Sequence, residues 1–117
     1  MQSLIFSDIL AIANHPEQLA WQSFRPGVDI YRLYRNPDTG LEAALLRYEP
    51  GSKIPEHDHI GTELVLILSG SQRDRNGDHT AGTLVINPPD SHHNLISDQG
   101  CIVLIIWEKP VSIRNMD

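Results

Sequence analysis

His57, His59 and Glu63 put three potential metal ligands within seven positions, and this crowding constrains the chain more than any other feature. Side chains alternate faces along a strand, so His57 and His59, two apart, point the same way if the segment is extended. Both imidazoles can then reach one ion. Ile60-Gly61-Thr62 allows a turn, after which Glu63 enters the apolar run Leu64 to Leu68, whose length and branched content suit a buried strand. The carboxylate can return beside the two imidazoles.

Imidazoles with one carboxylate suit Zn, Fe, Mn, Ni or Cu and not the all-oxygen preference of Ca and Mg. Three ligands do not complete such a site, and His93 is the best candidate for the fourth. It follows the turn-forming cluster Asn87-Pro88-Pro89-Asp90-Ser91 and begins a short run, His93 to Ile96, that can pair back across a sheet. His92 is its neighbour, and neighbours on a strand face opposite ways, so at most one of the two points at an ion.

These residues fall into a known pattern. Gly51, five residues, His57, one residue, His59, three residues, Glu63, six residues and Gly70 is the spacing of the first cupin motif. Gly82, Pro88 and His93 match the second motif across 82–97, with Asp90 where a glycine is usual and Ser97 where an asparagine is usual. The spacing selects His93 over His92. The chain thus resembles the cupin superfamily. More narrowly, Gly51 to Trp107 is similar to the cupin domain of ChrR-type anti-sigma factors, with Pro50-Gly51 before the ligands and Gly100-Cys101 after them. The resemblance implies an all-β jelly-roll barrel over 1–117, whose interior receives one divalent transition metal per chain from His57, His59, Glu63 and His93.

A chain of 117 residues is expected to form one domain. A net charge of -6 without a basic run argues against a nucleic-acid surface. No apolar stretch approaches the roughly 20 residues of a membrane span, and Met1 to Leu10 lacks a basic leader, so the expected location is cytoplasmic. The single cysteine, Cys101, offers no intrachain disulfide and reads as a small buried residue.

Ser7-Asp8 can cap a short helix over Ile9 to Ala13, which His15-Pro16 ends. Trp21 to Phe24 and Val28 to Arg35 read as strands joined by Arg25-Pro26-Gly27, and Asn36 to Gly40 turns the chain back into Leu41 to Tyr48. In that last strand either face could be the inner one. If Leu41, Ala43, Leu45 and Arg47 face inward, Arg47 is a candidate for holding an anion. Asn76-Gly77 predicts a tight hairpin turn, within which Arg73, Asp74, Arg75 and Asp78 read as solvated charges and His79 as no ligand. Thr83 to Ile86 and Cys101 to Trp107 complete a count of eight to ten strands. Glu63, Val65 and Ile67 should share the inner face, as should His93, Leu95 and Ser97. The apolar outer faces of Val103 to Ile106 predict a homodimer, which is usual among cupins.

Two functions fit these readings. One is a sensing or binding module resembling the cupin half of a ChrR-type regulator, with a small-molecule ligand in the barrel. No His-Cys-Cys cluster precedes residue 51, so the expectation is that no sigma factor co-purifies with the chain. The other is a metal-dependent dioxygenase, in which three His and one Glu leave two positions of an octahedral ion for substrate and oxygen. No further acid, base or nucleophile is placed by spacing on the inner face.

Overall fold

The computed structural model describes residues 2–113. A short helix, α1 (Ile9–Ile12), and a single 3-10 turn, Pro16–Gln18, precede ten strands. These are β1 (Gln22–Arg25), β2 (Val28–Arg35), β3 (Glu42–Tyr48), β4 (Ser52–Asp58), β5 (Glu63–Asp74), β6 (Gly77–Thr80), β7 (Leu84–Asn87), β8 (His92–Ser97), β9 (Cys101–Trp107) and β10 (Ser112–Ile113). All their pairings are antiparallel. The first half of β5 lies with β1, β2, β3, β9 and β7, and its second half turns towards β6, β8, β4 and β10. This long strand therefore joins two curled sheets around one interior, the all-β architecture expected.

The interior is branched and aromatic. Val28, Ile30, Ala44, Leu46, Tyr48, Val65, Ile67, Val103, Ile105 and Trp107 form its buried cluster. On β3 the inner set is therefore Ala44, Leu46 and Tyr48, which settles the open choice of face. Arg47 points outward, where its Nη2 donates to Asp29 at 2.7 Å and its guanidinium lies 4.7 Å from the Trp21 ring. It does not line the interior cavity.

Turns follow their chemistry. Pro26-Gly27 links β1 to β2, with Gly27 at φ 75, the left-handed conformation that a type II turn requires at that position. Asn36 accepts the amides of Asp38 and Thr39 through its side chain, stabilising the β2–β3 hairpin.

Several expectations are corrected. Asp8 takes the N-cap place of α1, but neither it nor Ser7 supplies a side-chain cap. The two-residue loop of the β5–β6 hairpin is Arg75-Asn76 and not Asn76-Gly77, because Asp74 pairs with Gly77 and its carboxylate accepts the Asn76 amide at 2.8 Å. Val103 and Ile105 are core residues and not part of an outer face, and Leu104 lines a groove with Gln2, Leu4, Phe6 and Ile9 of the N-terminal segment. β10 was not expected at all. It pairs with β4 at Asp58 and His57, on the edge that carries the histidines.

Candidate metal centre

Four elements deliver the four side chains. His57 comes from the end of β4, His59 from the residues just beyond it, Glu63 from the first position of β5 and His93 from β8. All four are buried, and one potential ligand atom from each lies within 4.8 Å of the others. The three imidazole rings are mutually edge-on, with centroids 4.6 to 5.0 Å apart. Around an ion with ligands at about 2.0–2.2 Å, ligand atoms lie about 3 to 4.3 Å from one another, so a small contraction closes the cluster.

Two register shifts aim these groups. From Ile54, which faces inward, simple alternation would turn Glu56 inward and His57 outward. One extra residue in β4 between Ile54 and His57 reverses this, so that His57 pairs with His93 across the ladder. Pro55 sits inside the shift, where its missing N–H removes no ladder bond. A second shift in β5 lies between Ile67 and Ser69, opposite β9. It moves the inner set from Glu63, Val65 and Ile67 to Gln72 and Asp74. Asp74 is consequently a buried carboxylate, with a side chain only 4% exposed, and not the solvated hairpin charge expected.

Each imidazole is oriented from behind. His57 Nδ1 lies 2.9 Å from the Pro55 carbonyl, which can only accept, so Nδ1 carries the proton. Ser91 donates its hydroxyl proton to the Pro88 carbonyl at 2.6 Å, leaving its oxygen to accept from His59 Nδ1 at 2.8 Å. His93 Nδ1 faces Asp74 Oδ2 at 3.4 Å. A neutral imidazole protonated at Nδ1 presents a lone pair at Nε2. Nε2 of His59 and of His93 is buried and has no hydrogen-bond partner. Such orphaned acceptors are costly unless a cation meets them.

Glu63 is held as firmly. Its Oε1 accepts from Asn87 at 3.0 Å and its Oε2 from the Trp107 indole at 2.8 Å. Oε1 also lies 3.4 Å from His59 Nε2. With Nε2 unprotonated these are two acceptors facing each other in a buried place, an arrangement that a metal ion satisfies. Burial by itself would raise the Glu63 carboxyl, but a proton on His59 Nε2, when it is there, and the Trp107 indole donor outweigh burial and hold the carboxyl below the usual range. Burial pushes the imidazoles of His57 and His93 down, which favours their neutral, ligating form.

The turn before β8 is bolted to His59 on both sides. The His59 amide donates to the Ser91 carbonyl and the Asp90 amide to the His59 carbonyl, each at 2.9 Å. Asp90 stands at φ 69, so it adopts the conformation that the usual glycine of this motif would supply. Ser97, in the usual asparagine place, is fully buried and donates to the Ser71 carbonyl at 2.6 Å. Both departures keep the turn and the strand in place.

His57 and Glu63 also line a cavity of about 190 Å³, walled by Leu46, Tyr48, Ile54 and Ile105 and edged by Arg25 and Val111. Burial pushes the Tyr48 hydroxyl far up, so it remains a neutral donor. His92 lies outside this space, against Glu56, and His79 Nε2 donates to Asp74 Oδ1 at 2.9 Å without reaching the cluster. Sequence reasoning missed Asp74, Ser91, Asn87 and Trp107 as supports. Only Pro55, a proline inside a strand, signals one of the shifts that place them. Cys101 is buried, and burial pushes its thiol up to about 11, so it is inert.

Two curled antiparallel sheets with a histidine and glutamate cluster at one end of the interior define a cupin. A family profile described as the ChrR cupin-like domain matches residues 11–110, and the chain belongs to that family. It is 32% identical over 107 residues to the anti-sigma-E factor ChrR of Cereibacter sphaeroides, covering 89% of this chain and 49% of that protein. The chain thus spans about half the length of this curated relative. In the crystal structure of Rhodobacter sphaeroides SigE with the anti-sigma ChrR, the matching chain superposes with a TM-score of 0.68 at 29% identity, over 78% of this chain and 49% of that one. An acetylacetone dioxygenase from Acinetobacter johnsonii shares the fold with a TM-score of 0.77 at 15% identity, over 99% of this chain and 79% of that one.

Proposed function

We propose that this chain is a metal-binding cupin module that senses or binds a small molecule, with one divalent transition ion held by His57, His59, Glu63 and His93. The observation that carries this reading is the pair of buried, partnerless Nε2 atoms on His59 and His93, aimed into a cluster that also contains Glu63. The ion would supply Lewis acidity to an oxygen-bearing ligand. The chain's own residues do the rest. Pro55, Ser91 and Asp74 orient the imidazoles, Asn87 and Trp107 fix the carboxylate, and Leu46, Ile54 and Ile105 exclude water from the adjoining cavity.

Residues 1–117 act in this reading as one module, in a cytoplasmic setting where Cys101 stays a thiol. The ChrR relative is named as an anti-sigma factor, and its structure is a complex with SigE. For this chain the proposal is a response to a ligand without a stable sigma-factor complex of its own. Leu84 and Ile86, exposed on the edge strand β7, support pairing of two copies into a homodimer.

A dioxygenase is the second reading, favoured by one feature. His57 and Glu63 border the cavity, so an ion there would keep a side open to a substrate. Elemental analysis of untagged protein, followed by oxygen uptake after loading the dominant ion, separates the two. Zinc near one per chain without oxygen uptake is expected for the sensing module. Iron, copper, nickel or manganese with oxygen uptake would establish the enzyme, and a protein that takes up no metal would overturn both.

A further inference from the structure

Two arginines of the strands, Arg25 and Arg35, are in no ion pair among the described residues, and of these only Arg25 borders the cavity. Arg32, Arg47, Arg73 and Arg75 each face a carboxylate within 3.5 Å. Arg25 is half-buried at the end of β1 and borders the cavity that His57 and Glu63 also line. Among the described residues its guanidinium is in no ion pair, and its one close neighbour of note is the Phe24 ring at 5.9 Å. A half-desolvated guanidinium without an anion forgoes the strongest hydrogen bonds it can make.

We propose that this cavity takes a small monoanionic organic acid, whose carboxylate pairs with Arg25 and whose apolar body fills the space towards the metal centre. The proposal rests on the reading of the cavity as a ligand site and adds the ligand's class and the residue that selects it.

The size and lining set the rest. A volume of about 190 Å³ corresponds to roughly six waters at about 30 Å³ each. Leu46, Ile54, Ile105 and Val111 give the ligand's middle an apolar wall. Arg25 and Tyr48 line this same cavity. Two carboxylates share the same lining. Glu42 is neutralised by Arg32 Nε at 2.7 Å, and Glu63 belongs to the metal cluster. Arg25 is the only lysine or arginine among the described residues of this lining, so one planar carboxylate suits it better than a dianion such as a phosphate monoester.

The test uses the full chain as purified, repeated after metal removal with EDTA, at about pH 8 and so above the imidazole range near 6.5. Hexanoate and its neutral isostere hexanamide are titrated by calorimetry into wild type, Arg25→Gln, Arg25→Lys and Arg35→Gln. Arg35 is an exposed arginine outside the cavity and serves as the control. Hexanoate is expected to bind wild type at least about tenfold more tightly than hexanamide, a preference of about 1.4 kcal/mol. Arg25→Gln removes that preference, whereas Arg25→Lys and Arg35→Gln retain it. Circular dichroism establishes that each variant is folded, and Arg25→Met, which keeps the apolar stem and drops the charge, is expected to lose the preference and carries the comparison with Arg35→Gln if Arg25→Gln is not folded.

Equal binding of acid and amide would overturn the proposal. So would a preference that survives in Arg25→Gln, or no hexanoate binding up to about 10 mM, weaker than the roughly millimolar affinity expected of a small ligand. Metal content is measured on the same samples. An Arg25-dependent preference in protein that takes up no metal would sink the metal reading alone, and metal-loaded protein without the preference would sink this inference alone.

Discussion

His57 lies directly opposite His93 in the β4–β8 ladder, with ring centroids 4.6 Å apart. That pairing exists only because β4 carries an extra residue between Ile54 and His57. Metal affinity should accordingly depend on both sides of the ladder. His57→Ala or His93→Ala is expected to abolish stoichiometric metal, read by elemental analysis after dialysis. Asp74→Ala, which frees the His93 ring, is expected to weaken binding by about 10- to 100-fold in a chelator competition. His79→Ala leaves the stoichiometry intact, and a loss equal to that of His93→Ala would refute the ligand assignment.

Acid should release the metal and weaken the fold, and the sign follows from burial. His57 and His93 are held below the ordinary imidazole value, so the unfolded chain takes up their protons first as pH falls. Their contribution is fully present above about 6.5 and is lost as pH drops through the lower folded values. Glu63 and Asp74, also held down, extend the loss into the carboxylate range. Thermal unfolding of metal-free protein across this range should show Tm rising with pH. A Tm that falls between pH values of about 5 and 7 would contradict the burial argument.

Gly70 ends the first cupin motif for a reason that has nothing to do with metal. It stands at φ 75, and a Cβ there would meet the Gly100 carbonyl oxygen at 2.0 Å. Gly70→Ala is expected to cost at least about 2 kcal/mol in urea denaturation, since the left-handed strain alone is roughly 1–2 kcal/mol and the backbone contact adds to it. Gly82 shares the left-handed strain at φ 89 but has open space around its Cβ position, so Gly82→Ala lacks the backbone contact and should cost less. Equal costs at the two sites would show that the close β5–β9 approach is not what requires Gly70.

Leu84 and Ile86 are 56% and 59% exposed. If two copies pair through β7, light scattering should give twice the 13.1 kDa chain mass, and Leu84→Glu with Ile86→Glu should return it to that of one chain. A wild-type monomer at about 100 μM, where a stable interface would be filled, would exclude the dimer.

Much of this protein was legible before any coordinates. Turn chemistry at Pro26-Gly27 and Asn36 to Gly40, alternation through Glu63, Val65 and Ile67, and the branched run of β9 are local signals. Each rests on backbone preferences that a residue and its near neighbours set. The histidine and glutamate spacing belongs with them, because two short motifs keep their side chains in phase over a few residues. The inner face of β3 was not legible, because Leu45 and Leu46 are equally apolar and only packing distinguishes them. Nor were the shifts in β4 and β5 that turn His57 and Asp74 inward, or the docking of β10 on the edge of β4. A register shift is decided by which partner strand lies opposite, and that partner is tens of residues away in the chain. The amino-acid sequence by itself determined most of the strands and turns and the four side chains that meet. Only the tertiary structure decided which way they point, what orients them from behind, and that Arg25, in no ion pair among the described residues, shares their cavity.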